Sequence, residues 1–172
     1  MYKLVIFDFD GVLAATDGSI GPEPAPRRWC APFMARSLAC RAEAMRLLPG
    51  AKALLRRLAG QGVVLGLVSA HSAASVRRIL GPEAAALIEH YECGAGLFGR
   101  GAKFRKMLRR ARVKASEALC LGDNAQDIKA ARAAGIAAGA VAWGQACREI
   151  LTARAPTLLF HTPEDVAARL AA

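Results

Sequence analysis

Short apolar runs that end at polar residues, and that alternate with amphipathic segments, constrain the fold of this chain more than any other feature. The runs are as apolar as buried strands and lie at 3–9, 62–69, 118–121, 136–143 and 157–160. The other segments have the length and apolar spacing of helices and lie at 51–59, 73–80, 102–112, 125–134, 145–153 and 163–171. Strands that alternate with helices predict an α/β fold, a three-layer Rossmann-like open parallel sheet with helices on both faces.

Polar side chains stand at the carboxyl ends of three of these predicted strands. Asp8 and Asp10 close the first strand, Ser69 closes the second, and Asp123 follows the third. Ligands of open parallel sheets bind beyond the carboxyl ends of the strands, so we expect one crevice to collect these four side chains. Clustered acids repel one another unless a cation binds among them, and a ligand set made of oxygens favours a hard ion, above all Mg²⁺.

Composition indicates the class of protein. A chain of 172 residues that is 54% hydrophobic suits one domain with a modest insertion. No apolar run approaches the roughly 20 residues that span a bilayer, and the first run is too short for a signal peptide. The five cysteines are far apart and form no Cys-x-x-Cys pair. We therefore expect a soluble, cytoplasmic protein with reduced thiols and no membrane partner.

The formal net charge of +10 is concentrated at residues 103–114. At helical spacing Phe104, Met107, Leu108 and Val113 form a buried stripe there, and the cations form the opposite face. We interpret that face as solvated in preference to a nucleic-acid patch, because no aromatic residues alternate with the cations.

Three fragments carry a resemblance to a known family. They are the pair Asp8 and Asp10 followed by Gly11, the hydroxyl of Ser69 after an apolar strand, and the segment 121–136, which contains Asp123 and Asp127. With these motifs in order, the chain resembles the haloacid dehalogenase-like (HAD) hydrolase superfamily, and within it phosphoglycolate-phosphatase-like members.

The resemblance implies a phosphatase with a role for each of these residues. Asp8 is the nucleophile that forms an aspartyl phosphate, and Asp10 is the general acid and base. Ser69 and the backbone amide of Ala70 bind the transferring phosphoryl oxygens, while Gly11 lets the chain turn beside the phosphate.

The same resemblance implies a Mg²⁺ site and a nearby cation. Asp8, the backbone carbonyl of Asp10 and Asp123 would hold the metal, with Asp127 oriented behind them. An acid in the first turn of a helix can also do no more than stabilise the helix dipole, so Asp127 keeps both interpretations.

The cation of the third motif has two candidates, Arg100 and Lys103. We prefer Arg100, because it directly follows Phe98 and Gly99 at the start of a helix. His71 lies close to Ser69 in sequence, and we expect it to be exposed rather than in contact with substrate.

The predicted catalytic core comprises residues 1–13 and 49–172, and residues 14–48 form a short cap insertion. The insertion opens with several Gly and Pro residues and continues with one helical pattern around 33–47. In the enzymes that the chain resembles, a larger helical cap at this place selects the substrate. A lid this short implies a substrate that shields the site itself, a second copy of the chain that completes the lid, or an open site.

The leading hypothesis is therefore a Mg²⁺-dependent phosphatase that acts on a small phosphorylated metabolite. Two alternatives stay open: a phosphatase for a macromolecular or nucleic-acid phosphate, and a binding protein that keeps the scaffold with little turnover.

Overall fold

The computed structural model of the chain describes residues 1–16, 43–94 and 99–170. The described strands are β1 Leu4–Asp8, β2 Ala14–Thr16, β3 Met45–Leu47, β4 Val64–Val68, β5 His90–Glu92, β6 Ala118–Gly122, β7 Ala137–Val141 and β8 Leu158–Phe160. The described helices are α1 Ala51–Gly60, α2 Ala73–Leu87, α3 Gly99–Ala111, α4 Ala125–Ala133, α5 Arg148–Thr152 and α6 Pro163–Leu170, with a 3₁₀ turn at Ala115–Glu117. No helix in these ranges is both long enough and apolar enough to cross a bilayer.

Six strands form one parallel sheet in the order β5-β4-β1-β6-β7-β8. The chain runs from β1 outwards through β4 and β5, and then returns to the other side of β1 with β6. The strand order thus reverses beside β1, and ligands of such sheets bind at the carboxyl edge next to such a reversal.

Each face of the sheet is covered by helices, which gives three layers. Val5 and Phe7 of β1 pack in one apolar core with side chains of α1, α2 and α6. Leu4 and Ile6 pack in a second core with side chains of α3, α4 and α5. Alternate residues of a strand point to opposite faces, so the continuous apolar run of β1 fills both cores. The predicted α/β open parallel sheet is confirmed.

The five predicted strands and six predicted helices all occur, and most of them have somewhat different ends. The helix expected at 73–80 is followed by a break at Gly81, whose φ of 73° is left-handed, and helical structure resumes from Pro82 to Leu87. The sequence patterns did not predict the short strand β5, which pairs with β4 at the edge of the sheet.

The two ends of the predicted insertion lie side by side. Strands β2 and β3 pair antiparallel, with Ala14 opposite Leu47 and Thr16 opposite Met45. The prediction of a helix is therefore wrong for residues 45–47, where the backbone pairs with the departing strand instead. The rest of the predicted cap helix and the lid fall at 17–42, outside the described residues, so the cap and the domain boundaries stay predictions.

Candidate active site

Three polar side chains meet at the carboxyl edge of the sheet because their strands are neighbours. Asp8 is the last residue of β1, Ser69 directly follows β4, and Asp123 directly follows β6. All three are buried, and β1 lies between the other two strands. The sheet thus collects residues that are far apart in sequence.

Three carboxylates form the centre of this site. One oxygen from each of Asp8, Asp123 and Asp127 lies within 4.8 Å of the other two. Asp127 comes from the first turn of α4, whose cap is the side chain of Asn124, an acceptor for the backbone N–H groups of Gln126 and Asp127. Side chains in a helix lean towards its N-terminus, which brings Asp127 towards the strand ends.

Asp123 is held in a fixed orientation. Its Oδ1 accepts a hydrogen bond from Asn124 Nδ2 at 3.1 Å, and its Oδ2 accepts one from the backbone N–H of Gln145 at 2.9 Å. Gly11 and Gly144 both lie close to it, since a Cβ would be 2.0 Å from an Asp123 atom at Gly11 and 2.2 Å from one at Gly144. Gly11 is also left-handed, with φ of 78°, so the sharp turn expected at this glycine is present.

Arg100 and Lys103 lie one turn apart on α3 and make different contacts. A guanidinium nitrogen of Arg100 lies 2.8 Å from Asp8 Oδ2 and also contacts Asp127. Lys103 Nζ instead donates to the backbone carbonyl oxygens of Ser69, at 2.9 Å, and Gly94. Of the two candidates for the third motif, Arg100 is therefore the one that contacts the central carboxylates.

Asp10 lies at the rim of the site and contacts His71. Its side chain is 36% exposed, and its Oδ1 is 3.0 Å from Nε2 of His71. The expectation that His71 is exposed is wrong, because its side chain is only 3% exposed. After β4 the His71 N–H donates to Ser69 Oγ, and Ala70 between them is exposed.

Burial governs the protonation of the central acids. It raises the pKa of Asp8 to about 6 against the opposing charge of Arg100, and it raises the pKa of Asp127 to about 8 with the help of the Asp8 charge. Burial also raises the pKa of Asp123. The two carboxylates raise the pKa of Arg100 although burial opposes them, so its guanidinium stays charged.

The central acids fit a hard divalent cation. One guanidinium cannot balance three buried carboxylates, and Asp127 Oδ2 is buried without a hydrogen-bond partner among the described residues. A buried carboxylate oxygen that lacks a donor is costly unless a cation binds it. Several carboxylate oxygens with no sulfur or nitrogen ligand are the donors that Mg²⁺ prefers.

Comparison with known proteins identifies the family. The model of the haloacid dehalogenase-like hydrolase family matches residues 28–141. The chain belongs to the haloacid dehalogenase-like hydrolase family. It is also 28% identical, over 124 residues, to the phosphoglycolate phosphatase of Synechococcus elongatus, a match that covers 72% of this chain and 58% of that protein. The chain thus spans less than two thirds of the length of this curated relative.

Solved structures show the same haloacid dehalogenase-like fold. A haloacid dehalogenase-like hydrolase from Streptococcus pneumoniae superposes with a TM-score of 0.81 at 17% identity, covering 98% of each chain. A HAD family hydrolase from Deinococcus radiodurans, solved with bound phosphate and sodium, superposes with a TM-score of 0.76 at 16% identity, covering 99% of this chain and 95% of the other.

In this HAD hydrolase, sequence reasoning missed several residues that shape the site. His71 contacts Asp10, Asn124 contacts Asp123, and Gln145 contacts Asp123 through its backbone. Trp143 donates from Nε1 to the carbonyl oxygen of Val12 at 3.2 Å and so connects the loop after β7 to the loop after β1. The sequence alone suggested no role for this tryptophan in the site. An Asn directly before a helix is a recognisable cap signal, whereas a backbone donor such as Gln145 leaves no trace in side-chain patterns.

Proposed function

We propose that this protein is a Mg²⁺-dependent phosphatase that hydrolyses phosphomonoesters of small metabolites through an aspartyl phosphate on Asp8. One observation carries the proposal: a buried carboxylate, Asp8, contacts Arg100 and shares a cluster with two further carboxylates, while Asp10, two residues further along the chain, is 36% exposed. A nucleophile, a charge-neutralising group and an acid that water can reach are the parts that phosphoryl transfer requires.

In the first step, a carboxylate oxygen of Asp8 attacks phosphorus. The new bond joins Asp8 to phosphorus, the bond from phosphorus to the alcohol oxygen breaks, and Asp10 gives its proton to the leaving alcohol. Arg100 beside Asp8 balances negative charge on the phosphoryl group.

In the second step, water attacks the phosphorus of the aspartyl phosphate. Asp10 accepts a proton from that water, the bond from phosphorus to Asp8 breaks, and inorganic phosphate leaves. The 36% exposure of the Asp10 side chain is consistent with both duties, since it must reach first an alcohol and then a water molecule.

Asp8, Asp123, Asp127 and the backbone carbonyl of Asp10 are the groups that would hold Mg²⁺. The metal supplies positive charge that stabilises the phosphoryl oxygens in the transition state. Ser69 supports binding of those oxygens by a separate route. Its Oγ accepts the hydrogen bond from the His71 N–H, so its own hydroxyl hydrogen can be donated to a phosphoryl oxygen.

A small phosphorylated metabolite is the favoured substrate class, because a curated relative is named phosphoglycolate phosphatase. A macromolecular phosphate is the second candidate. Exposed cations of α3, such as Arg105 and Arg109, continue from the site along the helix and would attract a polyanion.

Phosphate release from a panel of phosphomonoesters tests the proposal. The panel includes 2-phosphoglycolate, sugar phosphates, alkyl and aryl phosphates and a 5′-phosphorylated oligonucleotide, each with Mg²⁺ or with EDTA. We expect Mg²⁺-dependent turnover that Asp8→Asn abolishes and that the distant Asp165→Asn retains. Acid quenching followed by intact mass analysis should detect a phosphoryl group on the wild type and none on Asp8→Asn.

Two results would contradict parts of the proposal. Turnover that survives Asp8→Asn would exclude the aspartyl phosphate. Saturable turnover of the oligonucleotide without turnover of small phosphates would show that the substrate is a macromolecular phosphate and not a small metabolite.

A further inference from the structure

We propose that His71 is a positioning residue for Asp10, and that its ring selects which carboxyl oxygen of Asp10 carries the catalytic proton. The inference rests on the proposed phosphatase function and adds to it a residue that no recognised motif contains. It starts from one contact, the 3.0 Å between His71 Nε2 and Asp10 Oδ1.

The ring of His71 is fixed by its surroundings. The side chain is only 3% exposed, although it lies at the solvent-facing edge of the sheet. The ring of Phe9, a buried neighbour of Asp10, meets it edge to face, with 6.2 Å between ring centroids and an interplanar angle of 79°. A buried ring against an aromatic neighbour has few alternative rotamers, so it can hold a partner in one place.

The backbone of His71 is fixed as well. Its N–H donates to Ser69 Oγ at 3.0 Å, and its carbonyl oxygen accepts from the N–H of Gly94 at 2.8 Å. Lys103 Nζ donates to the carbonyl oxygens of both Ser69 and Gly94 and so joins the two loops. The segment that carries His71 is thus tied to the binding residue Ser69 on one side and to the loop after β5 on the other.

This geometry divides the work between the two oxygens of Asp10. A ring with hydrogen on Nε2 donates to Oδ1, so Oδ1 is occupied and Oδ2 is the oxygen left to face a ligand. In the first step Oδ2 then gives its proton to the leaving alcohol, and in the second step it takes one from water. Without the ring, the partly exposed carboxyl group rotates freely, and the reactive orientation is populated less often.

Leaving groups that differ in basicity separate this role from a purely structural one. An alkoxide leaves only if it is protonated, whereas dinitrophenolate leaves without a proton. The quantity kcat/KM reports the step in which the leaving group departs, so a defect in proton donation should reduce kcat/KM for an alkyl phosphate much more than for dinitrophenyl phosphate. A distorted site would reduce both values alike.

The variants form a graded series. Gln can place its Nε2 where the histidine has Nε2, whereas the amide of Asn stops short of Asp10, and Leu offers no donor. We expect His71→Leu and His71→Asn to lower kcat/KM for the alkyl phosphate by about 100-fold, the lower range for general acid catalysis. His71→Gln should recover most of this loss, and dinitrophenyl phosphate should be little affected by any of the three. The exposed His161→Asn is the control and should behave as the wild type.

Each other outcome overturns the inference. Equal losses on the two substrates assign His71 a structural role, and unchanged values on both assign it none. The comparison of Gln with Asn decides the matter even if the Leu variant fails to fold, since both keep a polar side chain in the buried position. A wild type that hydrolyses no phosphomonoester would instead overturn the proposed function, and this inference with it.

Discussion

Asp127 illustrates how a single residue departs from its ordinary behaviour in a helix. An acid in the first turn normally stabilises the helix through the dipole and stays ionised. Here the side chain is only 1% exposed, one oxygen has no hydrogen-bond partner among the described residues, and burial raises the pKa to about 8. Ionising Asp127 in the folded chain therefore costs free energy, and a bound cation would offset that cost.

This linkage predicts opposite effects of pH with and without metal. The pKa values of Asp8 and Asp127 rise on folding from 3.8 to about 6 and about 8, so their contribution to stability is full below pH 3.8 and is lost as the pH rises through those values. In EDTA, Tm should fall between pH 6 and pH 8. Magnesium displaces protons when it binds, so its affinity should rise over the same range, by up to about tenfold per pH unit for each proton released.

Thermal melting and calorimetric titration with Mg²⁺ at pH 6, 7 and 8 check both effects. Asp127→Asn is the informative variant, because it removes one titrating group and should flatten the fall of Tm in EDTA. A Mg²⁺ affinity that does not change across this range would contradict the prediction.

Alanine variants of two glycines distinguish backbone strain from crowding of the central carboxylates. Gly11 and Gly62 have nearly the same left-handed φ, 78° and 77°. A Cβ at Gly11 would lie 2.0 Å from Asp123 Oδ2, whereas a Cβ at Gly62 would have no atom within 4 Å. Both Ala variants should lose about 1–2 kcal/mol of unfolding free energy from strain, but only Gly11→Ala should also displace Asp123 and weaken Mg²⁺ binding.

Urea denaturation and Mg²⁺ titration of the two glycine variants give the comparison. Equal Mg²⁺ affinities would mean that Asp123 moves aside without cost.

The role of a residue in the site could be predicted where a local sequence pattern indicates it. Asp8 and Asp123 are visible as acids after buried strands, and the structure brings both into one cluster. The burial of His71 could not be predicted, because its ring lies against Phe9 and contacts Asp10, 61 positions away in sequence. Spacing within a strand or helix carries no information about such a partner.

At the scale of an element, helix α3 places two cations for two purposes. Arg100 in its first turn reaches Asp8 and Asp127, while Lys103, one turn later, holds the carbonyl oxygens of two loops. Burial and the nearby charge of Arg100 lower the pKa of Lys103. The start of this helix thus supplies charge to the site and also closes the loops around it.

Alanine variants along α3 test this division. Arg100→Ala should lower kcat by about 10²–10³-fold, as the loss of one group that stabilises transition-state charge does. Arg105→Ala, on the exposed face of the same helix, should leave turnover of small phosphates unchanged and serves as the control. Steady-state kinetics on the best small phosphomonoester measures the effect. A larger loss of kcat from Lys103→Ala than from Arg100→Ala would show that Lys103, and not Arg100, stabilises the transition-state charge.

Strands that are buried throughout could be predicted from sequence. The edge strand β5 could not, although the opposite edge strand, β8, was predicted at 157–160. The residues of β1 and β6 are buried throughout, and an unbroken apolar run in the sequence indicates this burial. Strand β5 reads His-Tyr-Glu and lacks that pattern. Its Glu92 is only 7% exposed because Lys106 and Arg110 of α3 pair with it, at 2.9 and 3.2 Å. A strand whose burial depends on a helix that follows it in sequence has no local signal.

At the scale of the whole molecule, the two apolar cores share one sheet. Leu55 of α1 is fully buried in one core, and Met107 of α3 is fully buried in the other. Gly66 of β4 brings the sheet close to α3, since a Cβ there would lie 2.2 Å from Met107 Sδ. Neither helical layer can therefore separate without exposing a face of the same strands.

This shared sheet predicts a single cooperative unfolding transition in which either core can be weakened. Leu55→Ala and Met107→Ala should each lose about 2–5 kcal/mol of unfolding free energy, the usual cost of a cavity in a packed core, without a second transition. Ile150→Ala, at a side chain that is 51% exposed, is the control and should change stability by no more than about 0.5 kcal/mol. Circular dichroism and tryptophan fluorescence during urea denaturation check this, and transitions that differ between the two probes would show that the layers unfold separately.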